Sequence, residues 1–290
     1  MLDQLIKRCR RLGIKTIADV DDLVFYPKYA PLSPSVINNQ ATEFSIRAQF
    51  KRNLEAMLRF DEITVSTVPL AKHWTELTGK TQVTVVPNGL SERWLGTRVT
   101  RTPDNQNSPK TITYLPGSNS HNKDFSEITN ILCDAMNSNR EVKLLIVGTL
   151  QIDERVFPAS RVMRSRWVDY FKLPQIIASS TVTLAPLVSS PFTYAKSHIK
   201  FIESAAFGTP AICSPNHDIC RHQSNGLHIC ENVEDWHTAL DSALNSPIEA
   251  AERHQIEDHI RATQTCLQSA MVFLSRFHTD RNESLQQASC

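Results

Sequence analysis

Along the chain, short apolar runs typical of strands alternate with longer segments in which apolar residues recur at helical spacing. This alternation predicts strands and helices. Short runs rich in β-branched residues, bounded by turn signals, predict strands. Three such runs precede residue 97: Ile14–Ala18, Glu62–Ser66 and Gln82–Val86. Six follow: Thr111–Leu115, Lys143–Val147, Arg166–Asp169, Val182–Ala185, Ala211–Cys213 and Gly226–Ile229. Helical spacing of apolar residues predicts helices at Leu2–Leu12, Glu43–Arg59, Val68–Thr78, 125–137, Pro174–Ser179, Lys196–Phe207, Val233–Asn245 and Pro247–His278.

Strands that alternate with helices predict an α/β fold built on parallel sheets. The segment 98–110 has two prolines, two asparagines and no apolar periodicity, which is typical of a linker. We therefore expect a partial N-terminal domain over 1–97, the linker over 98–110 and a complete doubly wound domain over 111–247. A closing helix and a frayed tail are expected over 248–290.

Composition narrows the class of protein. The chain has 290 residues, of which 41% are hydrophobic and 21% are charged, as in soluble globular proteins. A net charge of +1 gives no overall attraction to nucleic acid. No apolar run approaches the length of about 18 residues that a membrane-spanning helix needs. Seven scattered cysteines without a Cys-x-x-Cys pair favour reduced thiols, so we expect a cytoplasmic protein.

The segment from Phe192 to Ser214 has the most informative charge pattern in the chain. On a helix with about 100° per residue, Lys196, Lys200 and Glu203 fall within roughly 60° of one another. Two ammonium groups near a helix start suit a diphosphate, and a carboxylate beside them suits the hydroxyl groups of a ribose. A solvated helix face with charges four residues apart explains the same spacing, and spacing alone leaves both interpretations open.

A second pattern lies where the predicted strand Thr111–Leu115 meets the next helix. Gly117 stands there among serine and asparagine residues, and backbone amides and hydroxyl groups at such a junction can hold a phosphate. Asp124 or Ser120 can equally be the residue that caps the helix, so the pattern alone does not decide between the two roles.

These segments together resemble the nucleotide-binding domain of GT-B glycosyltransferases that use nucleotide sugars. Lys196-Ser197, Lys200 and Glu203, followed by Gly208-Thr209-Pro210, match the pattern Lys-Ser-x-x-Lys-x-x-Glu before Gly-x-Pro. The earlier loop matches Gly-Ser-x-x-His-x-x-Asp-Phe from Gly117 to Phe125. The strand ends Trp167-Val-Asp169 and Ala185-Pro-Leu187 match as well. Many related enzymes carry a further glutamate eight positions before Glu203, where this chain has Ala195.

The resemblance implies two Rossmann-like domains of GT-B type and transfer of a sugar from a nucleotide-diphosphate sugar to an acceptor. It implies a role in assembling bacterial surface polysaccharides or glycoconjugates. No metal or other cofactor is expected, because lysines can neutralise the diphosphate. His121 or Asp124 would contact the sugar or a phosphate. The residues implied in donor binding are Gly117, Ser118, Asp124, Lys196, Ser197, Lys200 and Glu203.

Asp19-Val-Asp21-Asp22 follows the first predicted strand and invites two interpretations. GT-A glycosyltransferases bind a divalent ion through Asp-x-Asp. The position, however, resembles the Asp-x-Asp-Asp of the GT-B acceptor domain, where a carboxylate at the strand end can orient an acceptor hydroxyl or act as a base. Asp21, Asp22 and His121 are the catalytic candidates. A cluster of loop acids that caps a turn is the remaining alternative.

The expected partners are a nucleotide sugar and a saccharide or lipid-linked acceptor. The cationic helix around Lys7 to Arg11 could make a peripheral contact with the inner face of a membrane, but the pattern favours an ordinary solvated face. The first domain shows three strands where an acceptor domain carries about six. We therefore expect missing front strands, self-association or a need for a partner, and poor transfer. The rival function is a non-catalytic nucleotide-binding subunit or a truncated remnant.

Overall fold

The protein is described by a computed structural model over residues 2–101, 110–166, 168–222, 224, 226–246 and 248–275. The strands are β1 (Ile17–Val20), β2 (Glu62–Val65), β3 (Val83–Val85), β4 (Lys110–Gly117), β5 (Val142–Gly148), β6 (Val162–Ser165), β7 (Val182–Ala185), β8 (Ala211–Cys213) and β9 (Leu227–Ile229). The α-helices are α1 (Leu2–Arg11), α2 (Pro34–Ile37), α3 (Glu43–Met57), α4 (Val68–Thr78), α5 (Glu92–Leu95), α6 (Asn122–Ser126), α7 (Thr129–Ser138), α8 (Leu173–Ala178), α9 (Pro191–Tyr194), α10 (Ile199–Ala205), α11 (Val233–Asn245) and α12 (Ala250–Thr263). Residues 266–275 are also helical.

The strands form two parallel sheets, which confirms the predicted α/β fold class. The first sheet has the order β1-β2-β3, and the second has the order β6-β5-β4-β7-β8-β9. In the second sheet the chain moves outward from β4 through β5 to β6, and then returns to the other side of β4 with β7. The carboxyl ends of β4 and β7 therefore flank a topological switch point, where doubly wound sheets bind their ligands.

Both faces of the second sheet are covered, as a parallel sheet requires. On one face, Phe125, Ile131 and Leu240 belong to a buried cluster with the apolar residues of β4 and β5. On the other face, Phe201 and Phe207 belong to a second buried cluster. The sheet is thus held rigidly between helices, and its strand ends form a fixed base for the loops that follow them.

The part of the chain before residue 102 (the first half) and the part from residue 110 onward (the second half) contribute side chains to each other's cores. Phe192 and Ala195, from the second half, are buried in the cluster that contains Trp74 and Phe25. In return, Trp94 of α5 is buried against the second sheet's helices. The burial of large side chains across the boundary fixes the cleft between the two sheets.

The C-terminal segment crosses back to the first half. The backbone N–H of Leu90 donates to the carbonyl of Gln264 at 2.9 Å, and the N–H of Cys266 donates to the carbonyl of Leu90 at 2.9 Å. A Cβ added at Gly89 would lie 2.5 Å from the carbonyl carbon of Thr265, so only glycine fits at this crossing. The predicted helix Pro247–His278 is therefore wrong as one element: it is interrupted at 264–265, where the backbone bonds to Leu90.

Two predicted strands differ from the structure. The first begins at Ile17 instead of Ile14, because the side chain of Asp61 accepts from the backbone N–H of Thr16 at 2.9 Å before the β1–β2 ladder starts. Asp19 consequently lies inside β1, and only Asp21 and Asp22 follow it. The strand predicted at Arg166–Asp169 is wrong, since β6 ends at Ser165 and Asp169 caps a 3-10 helix over Tyr170–Lys172.

The predicted helix Lys196–Phe207 begins three residues later, at Ile199. Ser190 and Thr193 form a capping box that starts the short helix α9, and the chain turns after Ala195. Lys196 and Ser197 therefore lie in a connecting segment, and Lys196 does not share a helical face with Lys200 and Glu203. The bulk of the predicted linker (102–109), Trp167 and the predicted tail from residue 276 lie outside the described residues. Within the described part of the chain, no helix has the length and apolar character needed to cross a membrane.

Candidate functional site

A cavity of about 160 Å³ opens at the switch point of the second sheet, facing the carboxyl end of β1. The first half contributes Asp21 and Asp22, from the loop after β1. The second half contributes His121, Lys196 and Lys200 together with the apolar ends of β4 and β7. Two carboxylates from one half and two ammonium groups from the other half thus line a single cavity.

The three predicted acids after and within β1 have different partners. Asp19 accepts from the hydroxyl of Thr64 at 2.5 Å, which fastens it to β2. Asp21 accepts from the Asn88 amide at 3.1 Å. Asp22 lies in the cavity wall, with both carboxylate oxygens 3.4 Å from Nζ of Lys196. Each of the three carboxylates therefore has its own protein partner.

The carboxyl group of Asp22 has a pKa above its ordinary value. Burial disfavours its charged form and raises the pKa, and the charge of Lys196 offsets part of this effect. The nearby Asp21 raises the pKa of Asp22 further. A carboxylate whose proton affinity is raised in this way, next to a cation and at the edge of a cavity, suits the removal of a proton from a hydroxyl group.

The connecting segment that carries Lys196 and Ser197 is held by residues of the first half. The hydroxyl of Thr67 is fully buried and donates to the carbonyl of Ala195 at 2.8 Å. The amide of Asn88 donates to Oγ of Ser197 at 2.9 Å. These bonds fix Lys196 beside Asp22, so the position of the lysine depends on contacts between the two halves.

On α10, Lys200 and Glu203 form a pair, with Nζ and Oε2 3.3 Å apart. The side chain of Lys200 is half-exposed and lines the cavity, whereas that of Glu203 is 8% exposed and lies behind it. Burial, and then the charge of Glu203, raise the pKa of the Tyr170 phenol.

The loop after β4 provides His121. Its Nδ1 is 2.8 Å from Oδ2 of Asp124, and the other oxygen of Asp124 accepts from the backbone N–H of Val188 at 2.8 Å. Asp124 is 6% exposed. Through these two bonds it orients His121 and joins two loops. Gly117 has a positive φ of 72° that allows the tight turn, and Ser118 bonds to Ser120 at 2.7 Å.

The cavity wall therefore unites six of the ten predicted site residues: Asp21, Asp22, His121, Lys196, Ser197 and Lys200. The other four are outside the wall. Asp124 and Glu203 bond to wall residues, His121 and Lys200 respectively, and Gly117 and Ser118 follow the wall residue Pro116 in the sequence. Among the described residues, no group of three or more His, Cys, Asp or Glu side chains is arranged to hold a metal ion.

Two asparagines of the first half were not predicted as part of the site. Asn88 bridges Asp21 and Ser197, as described above; its only sequence signal is the Pro87-Asn-Gly89 turn. Asn38 donates to the carbonyl of Ser120 at 2.6 Å and accepts from the backbone N–H of Lys123 at 2.8 Å. It therefore clamps the His121 loop onto α2, and no local pattern in the sequence indicates this contact.

Comparison with known proteins identifies a glycosyltransferase match in part of the chain. Residues 112–246 match the family model described as glycosyl transferases group 1. The predicted recognition, the GT-B fold and the glycosyltransferase class are thereby confirmed. No curated protein sequence matches the chain.

Solved structures share the fold at low sequence identity. Sucrose-phosphate synthase from Thermosynechococcus elongatus is 15% identical, with a TM-score of 0.63 over 96% of this chain and 70% of its own. HepE from Anabaena, in complex with UDP and glucose, is 11% identical, with a TM-score of 0.60 over 97% of this chain and 75% of its own. The lipopolysaccharide outer core galactosyltransferase WaaB is 15% identical, with a TM-score of 0.58 over 96% of this chain and 79% of its own.

Proposed function

We propose that the chain transfers a sugar from a nucleoside-diphosphate sugar to an acceptor hydroxyl in the cleft between its two halves. The observation that carries this proposal is the single cavity that Lys196, Lys200 and Asp22 line together. The two cations, from the second half of the chain, suit the diphosphate of the donor. The carboxylate, from the first half, suits the acceptor.

In the proposed reaction, the acceptor oxygen bonds to the anomeric carbon of the sugar while the bond from that carbon to the diphosphate oxygen breaks. The departing diphosphate takes the electron pair, and Lys196 and Lys200 stabilise its growing negative charge. Asp22 takes the proton of the acceptor hydroxyl, which its raised pKa favours. His121, oriented by Asp124, contacts the sugar, and Glu203 accepts from the ribose hydroxyls.

Similar structures support the choice of substrates. HepE was solved with UDP and glucose, and WaaB is named a lipopolysaccharide outer core galactosyltransferase. We therefore propose a nucleotide sugar as donor, a saccharide or lipid-linked saccharide as acceptor, and a role in surface-polysaccharide assembly in the cytoplasm. Contact with a membrane through α1 stays a prediction; Leu5, Leu12 and Ile14 are exposed near its arginines. Self-association also stays a prediction.

We propose that the reaction needs no metal cofactor. The support comes from the acids that would hold an ion: Asp19, Asp21 and Asp22 bond to Thr64, Asn88 and Lys196 respectively. The lysines of the cavity supply the positive charge that a divalent ion would otherwise bring to the diphosphate.

A non-catalytic nucleotide-binding subunit is the second candidate, and one observation favours it. Ala195 stands where many related enzymes have a glutamate, and its side chain is buried in the apolar core of the first half. A carboxylate would therefore not reach the cavity from this position without a change in the loop. Nucleotide binding without turnover would indicate this candidate.

The test uses calorimetric titration of the chain with UDP, GDP and ADP, followed by incubation with the matching nucleotide sugars. We expect binding of at least one nucleoside diphosphate, and its release from the nucleotide sugar in the presence of saccharide acceptors. Binding without release would favour the non-catalytic subunit. Absence of binding to all three would contradict the proposed function.

A further inference from the structure

Asn216 lies in the wall of the same cavity, although no sequence motif singled it out. It follows β8, and its side chain is 1% exposed. Its Oδ1 accepts from the backbone N–H of Ile219 at 2.9 Å. Its Nδ2 has no hydrogen-bond partner among the described residues. One end of the amide is thus engaged in the protein, and the other end is a buried donor next to the cavity.

The orientation of this amide follows from its partner. A backbone N–H can only donate, so the atom that faces Ile219 must be the oxygen of the amide. The NH₂ group is consequently the end left without a partner. Buried polar groups in folded proteins are almost always hydrogen-bonded, and a donor left unpaired costs free energy. A ligand oxygen in the cavity would satisfy it.

The loop that starts at Asn216 lies along the segment that carries the cavity lysines. The N–H of His217 donates to the carbonyl of Tyr194 at 3.3 Å. Farther on, Nδ1 of His198 is 3.5 Å from Oδ2 of Asp218. The Asn216 loop therefore packs against the segment that carries Lys196, and Asn216, Lys196 and Lys200 line the same cavity.

We infer that Nδ2 of Asn216 donates to a phosphate oxygen of the nucleoside diphosphate. The inference rests on the proposed function, and it adds a neutral donor to the two lysines. A phosphate oxygen only accepts, and it carries negative charge, so it is the donor-substrate atom that best matches an NH₂ group in a cavity that two ammonium groups also line. The amide would supply a hydrogen bond of fixed orientation, whereas the two lysines act as point charges on flexible side chains.

Two variants test this contact. Asn216→Asp keeps an oxygen for the N–H of Ile219 and replaces only the NH₂ group, so the loop after β8 keeps its internal bond. Asn216→Ala removes the donor without adding charge. We expect the affinity for the nucleoside diphosphate that the wild type binds to fall about 10-fold or more in Asn216→Ala, and further in Asn216→Asp. The matched control is Asn130→Asp, an exposed position on α7, with unchanged affinity.

The outcomes separate this inference from the proposed function. If the wild type binds no nucleoside diphosphate, the proposed function is wrong and the inference falls with it. If the wild type binds and both variants, folded by circular dichroism, bind equally well, only the inference is wrong. If the variants lose affinity for the nucleotide sugar alone, the amide contacts the sugar, and the phosphate assignment is overturned. Loss for the diphosphate itself, together with a normal control, supports it.

Discussion

Replacing Lys196 by Met should weaken nucleoside diphosphate binding more than the same replacement of Lys200. Both lysines line the cavity, but the side chain of Lys196 is 21% exposed and that of Lys200 is 46% exposed. A charge-assisted hydrogen bond contributes about 1.5–3 kcal/mol, and solvent screening lowers the value for the more exposed partner. We therefore expect a loss of about 100-fold for Lys196→Met and about 10-fold for Lys200→Met.

A second effect increases the loss at Lys196. Lys196 neutralises Asp22, whose oxygens are 3.4 Å from its Nζ. Without the lysine, an unpaired carboxylate in the same cavity repels the diphosphate. The double variant Lys196→Met/Asp22→Asn removes this repulsion, so we expect it to bind more tightly than Lys196→Met alone, while transfer stays absent.

Calorimetric titration measures the loss of the lysine–phosphate contacts and the repulsion by Asp22. It is done in low salt and in about 1 M salt, where the Debye length is about 3 Å. The contribution of Lys200 should shrink more with salt than that of Lys196. Lys51→Met, at an exposed position on α3, is the matched control and should bind like the wild type. Equal affinities of wild type and Lys196→Met, or a larger loss for Lys200→Met, would refute this account of the cavity.

Three further predictions concern Asp22, metals and the crossing of the C-terminal segment. The native-state pKa of Asp22 is raised above 3.8, so its contribution to the free energy of unfolding is greatest below about pH 3.8 and is lost as pH rises through the native pKa. Asp22→Asn should therefore raise the melting temperature at pH 7 and abolish transfer; an active variant would contradict the role as base. EDTA should leave nucleotide affinity unchanged in calorimetry, whereas loss that manganese restores would favour a metal held by the acids. Gly89→Ala should destabilise the fold by about 1–3 kcal/mol in denaturant unfolding, because its Cβ would clash with Thr265 at 2.5 Å; unchanged stability would contradict the crossing.

Local signals predicted many elements correctly. The predicted bounds of α4 and α11 agree with the structure, because Gly79 ends α4 in the left-handed conformation and a capping box of Asn232 and Asp235 starts α11. The strands β7 and β8 also have their predicted bounds. In both helices, the residues that define the ends are neighbours in the sequence.

Contacts between distant residues explain the errors. The segment at Lys196 is fixed by Thr67 and Asn88, which lie far away in the sequence, and its residue pattern alone fits a helix. The interruption after α12 likewise depends on the backbone of Leu90. The sequence therefore predicted many of the residues that surround the cavity, but not the contacts that hold them in place. The roles of Asn38 and Asn216 depend wholly on such distant partners.

A crystal structure with the nucleoside diphosphate that binds most tightly would test the central claim most directly. The account predicts the diphosphate in the cavity at the ends of β4 and β7, with phosphate oxygens within about 3.2 Å of Nζ of Lys196 and Lys200. Asp22, next to Lys196, would remain open to an acceptor. A nucleotide bound outside this cavity, or a diphosphate held by a metal ion on Asp19, Asp21 and Asp22, would contradict it.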